Sequence, residues 1–179
     1  MPRLPYLTDD DAGPPDLVEA IRRRRGGRLL ELDRMLLYSA PLASGWNEML
    51  GRIRSQLALP GRLREIAMCA VATMNGARFE FVHHAPLLLQ EGGTEAEVEL
   101  LRNVDAAADA TDVFDRSGLA AIRLARAMTR DVTVSQAVFD EARAALGDER
   151  RLVELVAVIA AYNMVSRFLV AFEIEPDGH

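Results

Sequence analysis

Apolar residues recur at three- and four-residue spacing along most of the chain, the period of helices packed by one face. Leu29, Leu32, Leu36 and Leu37 share a face of a short helix over residues 29–38, which Pro41 breaks. Ser44 caps a third helix reaching residue 57, with Trp46, Met49, Leu50 and Ile53 at i, i+3, i+4 and i+7. Leu63, Ile66, Ala67, Ala70, Val71 and Met74 continue the pattern until Asn75-Gly76 stops it. Pro15 and the Gly26-Gly27 pair bracket a helix over 16–25. Further helices are expected over 77–90, 112–129 and 135–146, and Thr94 with Glu97 forms a capping box for one running to residue 102. Residues 103–111, rich in small side chains, read as a loop or frayed segment. The last helix, Glu149–Phe172, is apolar nearly all round from Leu152 to Ala161, which suits the inside of a bundle or a subunit interface. No segment alternates as a strand does, so the expected fold is all-α, a multi-helix bundle.

The first fifteen residues depart from this pattern. Four prolines and three consecutive aspartates oppose regular structure, so 1–15 is expected to be an extended arm and 16–179 a single helical domain. The net charge of −6 and pI near 5.1 argue against nucleic-acid and anionic-membrane partners. A polar, proline-bearing start has no apolar signal core, and no uninterrupted apolar run reaches the ~18 residues of a membrane span, so a soluble cytoplasmic protein is expected. One cysteine, Cys69, excludes an internal disulfide framework. All 21 basic residues are arginines, which excludes a Schiff-base lysine and a P-loop lysine. The run Arg22–Arg25 is either a solvated helix end or an anion site.

Candidate chemistry gathers between Glu65 and His84. Glu80 and His84 are four apart and share a helix face, within reach of a hydrogen bond. His83 points about 100° away from His84 and reads as a supporting or packing residue. Pro86 removes the N–H that would bond the Val82 carbonyl, a device for opening a pocket. Cys69, inside an apolar helix, reads as a small buried hydrophobe. E-x-x-x-H is not a recognised closed ligand set, so no metal is expected. Tyr162, Asn163 and Arg167 read either as pocket lining or as satisfied polar groups of the last helix. Glu65 precedes Arg78-Phe79 by thirteen residues, and Glu154 precedes Arg167-Phe168 by the same interval, the mark of an old duplication or of chance.

The stretch REIAMCAVATMNGARFEFVHHAP, residues 64–86, resembles the signature region of the carboxymuconolactone decarboxylase family, which includes the alkylhydroperoxidase D (AhpD) proteins. SAPLASGW (39–46) and YNMVSRFLVAFEIEP (162–176) also fit, so the likeness spans about residues 30–176. The peroxidase branch opens its second helix with Cys-x-x-Cys and places a histidine four residues later. Here Ala77 and Glu80 stand at the cysteine positions, with His84 after them, so the redox pair is absent. The resemblance therefore implies the decarboxylase-like branch: a cofactor-free lyase acting on a small carboxylated lactone or related acid, assembled as a trimer or hexamer. It implies His84 as proton donor or enolate stabiliser, Glu80 as the group orienting it, Glu65 as a contact from the preceding helix, and His83 beside them. An AhpD-like alkylhydroperoxidase or peroxiredoxin-type antioxidant, and a non-catalytic ligand-binding or assembly protein, are the alternatives.

Overall fold

The computed structural model describes residues 1–176. Among them are ten helices and no strand, and they divide into two compact units.

The first unit holds residues 1–56 and the stretch from Ala171. It contains α1 (Pro15–Arg25), α2 (Glu31–Leu36) and α3 (Ala40–Ser55). Pro41 does not break the chain where expected; it sits in the first turn of α3, where its missing N–H is not needed. The arm is tied down. Arg34 donates to the Leu7 carbonyl (2.8 Å) and to Asp9 (2.6 Å), Tyr38 Oη donates to the Pro5 carbonyl (2.9 Å), and Arg22 pairs with Asp9 (3.0 Å). Asp33, 1% exposed, gathers Arg25 (3.0 Å), Arg24 (3.5 Å) and the Leu30 N–H (3.0 Å). Arg24 also donates to Asn47. Three of the four consecutive arginines therefore fix this unit's own structure.

The second unit, Leu57–Val170, carries the candidate chemistry. It contains α4 (Gly61–Met74), α5 (Arg78–Gln90), α6 (Glu95–Leu100), α7 (Val104–Ala107), α8 (Arg116–Arg130), α9 (Gln136–Leu146) and the body of α10 (Glu149–Phe172). α4 is its axis: every residue from Leu63 to Ala72 is buried, not one face alone. α5, α7 and α8 pack on α4, and Ala121, Ile122, Leu124 and Ala125 of α8 are fully buried. Each such Leu, Ile or Met contributes about 1.5–3 kcal/mol. α10 buries Leu155, Val158, Ile159 and Tyr162 completely but leaves Val153 67% exposed.

Local signals explain the connections. After α4, Gly76 adopts φ +67°, Ala77 N–H bonds the Ala72 carbonyl (2.9 Å) and Gly76 N–H bonds that of Thr73 (3.2 Å). This Schellman pair turns the chain sharply back into α5. The capping box at α6 is present, with Glu97 N–H on Thr94 Oγ1 (3.2 Å) and Thr94 N–H on Glu97 (2.9 Å). The expected loop over 103–111 instead contains α7. Asn103 caps it by accepting the Ala106 N–H (3.2 Å), and burial of Val104 and Ala107 holds it. The thirteen-residue repeat is not structural: one copy spans α4, the turn and α5, whereas the other lies inside the unbroken α10. By length and composition α10 could cross a membrane, the one such helix among the described residues; 44% of its apolar window is buried inside the protein.

Candidate functional site

Because α4 is buried all round from Leu63 to Ala72, the two charged side chains of that stretch, Arg64 and Glu65, need partners. Burying an unpaired charge costs several kcal/mol. Glu65, 2% exposed, accepts a hydrogen bond from His84 Nδ1 at 2.6 Å on one oxygen and from Arg64 Nε at 3.1 Å on the other. Arg64 continues to Glu91 at 3.2 Å. The carboxylate accepts, so Nδ1 carries the proton. The Tyr162 ring stands edge-on to the imidazole, with centroids 5.0 Å apart and planes at 85°. Burial alone would raise the Glu65 pKa. The bond and charge of His84, with Arg64 beside it, outweigh that and hold the carboxyl below its ordinary value.

The other predicted residues fall around this pair. Glu80, 2% exposed, accepts a hydrogen bond from Ser166 Oγ of α10 at 3.0 Å. The bond fixing His84 Nδ1 thus comes from Glu65 across the helix pair, while Glu80 faces α10. His83 donates Nδ1–H to the Phe79 carbonyl (2.7 Å) and stacks on the Phe79 ring at 4.2 Å. It reaches no member of the pair through these bonds, as its position one residue off His84 predicts. Asn163 accepts from Asn75 (3.0 Å) and donates to Thr129 Oγ1 and the Ile159 carbonyl (both 3.0 Å), so it is a satisfied core amide. Arg167 is exposed. The third histidine, His179, lies outside the described residues.

Arg64 and Ser166 complete the site and were not apparent from spacing. Consecutive helical residues do not face one another, which conceals Arg64 beside Glu65. Ser166 carries a weak signal, since it lies one turn after Tyr162 on the inner face of α10. Cys69 is fully buried. Burial, then the charges of Glu65 and Glu80, push its thiol well above the ordinary range, the reverse of a reactive cysteine. Among the described residues no group of three His, Cys, Asp or Glu side chains is placed to hold a metal.

A glutamate on one helix, a tight Asn-Gly turn and a histidine on the next helix, joined by a 2.6 Å bond, form the geometry of the candidate site. Residues 40–117 match the model of the carboxymuconolactone decarboxylase family. No curated protein sequence matches the chain. Among solved structures, an uncharacterized peroxidase-related protein from Silicibacter sp. TM1040 is similar with a TM-score of 0.79 at 18% identity, covering 99% of this chain and 94% of that one. The debrominase Bmp8, bound to 2,3,4-tribromopyrrole, gives 0.80 at 18%, covering 99% and 95%. A peroxidase-related protein from Ralstonia eutropha JMP134, described as an alkylhydroperoxidase AhpD core, gives 0.78 at 16%, covering 98% and 92%. The fold is the AhpD-like one, and identities of 16–18% carry the fold alone.

Proposed function

We propose that the protein is a cofactor-free lyase that removes carbon dioxide from a small carboxylated lactone or related unsaturated acid. The observation that carries this reading is the Glu65–His84 bond, which fixes Nδ1 and holds an imidazole, an acid–base group, against a buried carboxylate. In the reaction, the bond between the carboxylate carbon and the ring carbon breaks. Its electron pair moves into the conjugated carbonyl to give an enolate, and carbon dioxide departs. Protonated His84 delivers the Nε2 proton to carbon and becomes neutral, while Nδ1–H stays on Glu65, whose carboxylate favours the charged imidazole before transfer. Net, one substrate carboxylate and one proton give product and carbon dioxide. Glu80, held by Ser166, adds negative charge to the same core, and His83 braces α5 through Phe79.

Release of carbon dioxide from an unsaturated carboxy-lactone tests this. Turnover is expected in the wild type and lost in His84→Gln. Turnover unaffected by His84→Gln overturns it. The burial of His84, with 3% of its side chain exposed, favours a second reading, a ligand-binding or assembly protein without turnover. The antioxidant reading takes its support from the names of two fold neighbours; dithiol-dependent hydroperoxide reduction that vanishes in Cys69→Ser would establish it over ours. The proposal also takes the chain to be a homo-oligomer, a trimer or hexamer. The outward row Val153, Ala157, Ala160 and Met164 on α10 supports this, because apolar surface of that kind normally marks an interface. Sedimentation at micromolar concentration tests it, and a 19.7 kDa species alone would refute it.

A further inference from the structure

The bond between Glu65 and His84 is the inner end of a longer chain of charges. Glu65 accepts from Arg64 Nε at 3.1 Å, and Arg64 Nη2 donates to Glu91 at 3.2 Å. The order is Glu91, Arg64, Glu65, His84, alternating in sign when the imidazole is protonated. Arg64, Glu65 and His84 are buried, whereas the Glu91 side chain is 45% exposed. The chain therefore runs from the core to solvent.

Its outer end has a built seat. Glu91 closes α5, at the negative end of that helix's dipole, where a carboxylate is disfavoured. The carboxyl group lies over Gly61, the first residue of α4, so closely that an added Cβ would collide with it. Arg64 and the positive end of the α4 dipole both favour it there. Alanine is the better helix former at such a position, so the glycine trades helix propensity for room. Arg62 makes the contrast. It joins Glu97 and Asp115, and none of those three groups changes charge near neutrality. The Glu91 chain ends on an imidazole.

We propose that Arg64 and Glu91 are positioning residues that set how strongly His84 holds its proton. Arg64 does so by offsetting the charge of Glu65, and Glu91 by offsetting that of Arg64. This rests on the acid–base role given to His84 in the lyase reading and names the groups that tune it. A nearby cation favours the neutral imidazole and a carboxylate the charged one, so Arg64 opposes protonation and Glu91 weakens that opposition from the surface. Among the described residues, the other titratable groups sharing this core are Cys69 of α4, whose thiol burial keeps protonated, Glu80 of α5, held by Ser166, and Tyr162 of α10. His83 is turned onto Phe79, and α8 packs on α4 with alanines, Ile122 and Leu124.

Ring-nitrogen NMR titration of the full chain tests this, with His83 as the internal reference. Arg64→Gln should raise the His84 midpoint by about one pH unit. Glu91→Gln should lower it by about 0.3–0.6 pH units, as expected for a more distant charge. Gly61→Ala changes no charge, yet it should lower the midpoint too by pushing Glu91 off Arg64. Combined with Glu91→Gln it should add nothing, because both act through one contact. An ion-pair network that was only structural would change stability and leave the midpoints in place. A His84 titration that is absent or unmoved, shifts of opposite sign, or additive shifts in the double variant overturn the proposal. Should Arg64→Gln fail to fold, the two variants at the surface end still decide. The pH at half-maximal kcat/KM on a carboxy-lactone should follow the midpoints. Midpoints that move without any turnover would sink the lyase reading alone, and turnover with unmoved midpoints would sink this proposal alone.

Discussion

Asp33 and Glu65 are both buried carboxylates, 1% and 2% exposed, each held by more than one donor, yet their surroundings assign them different work. Asp33 faces Arg24, Arg25 and a backbone N–H, donors that keep their protons at every physiological pH. It pins a helix start and a run of arginines. Glu65 shares itself between Arg64 and His84, and among the described residues His84 is the only partner of either carboxylate that can gain or lose a proton near neutrality. Burial with permanent cations makes a structural anchor, whereas burial with an imidazole makes a group able to move protons.

The largest expected effects test this contrast directly. His84→Gln should lower turnover about 10²–10⁴-fold, the range for loss of a general acid. Glu65→Gln should lower it at least about ten-fold by releasing the Nδ1 proton. Steady-state rates on folded protein measure both, and equal loss from Asp33→Asn would erase the distinction. Asp33→Asn should instead cost about 3 kcal/mol of stability, since it removes a buried charge shared by two half-buried guanidinium groups, with rates per folded molecule unchanged. A lower urea midpoint at constant slope is the readout.

Acid should reveal the same difference. The folded pKa of Glu65 lies below its ordinary 4.5, so its contribution to stability is present above pH 4.5 and is lost as pH falls through the folded value. The stability gap between wild type and Glu65→Gln should therefore narrow between pH 7 and pH 3. A gap that stays constant would mean the carboxyl is not held ionised by its partners. The smallest effect belongs to Cys69→Ser. Activity should be unchanged, and stability should fall by about 1–2 kcal/mol because a hydroxyl replaces a buried thiol. The native thiol should not react with an aromatic disulfide reagent over minutes.

Much of this was legible in the sequence, because it is written in local signals. The ends of α10, the Thr94–Glu97 box and the Asn75-Gly76 stop depend on residues within one turn of each other. The two helices bearing Glu65 and His84 were legible too, and the signature named both residues. The bond between them was not, because the competing partner Glu80 lies on the same helix as His84, whereas Glu65 reaches it only once α4 and α5 pack. Arg64 shows the limit well: a face-by-face reading puts it in water, but α4 has no water-facing side from Leu63 to Ala72. At Pro41, a breaker in the interior of a helix is a starter in its first turn, and only the position of the helix end decides which.

The separation of partners along the chain also sets an order of events during synthesis. Glu65 and His84 are 19 residues apart, so the hairpin that joins them can close soon after it leaves the ribosome. Ser166, which bonds Glu80, and Asn163, which bonds Asn75, follow 86 and 88 residues after their partners. Until α10 arrives, the Glu80 carboxylate and the Asn75 amide wait for their partners. The Glu65–His84 pair is therefore formed early, and the bonds from α10 follow late. A nascent chain halted before α10 would expose these groups to chaperones and to other chains at its most vulnerable moment.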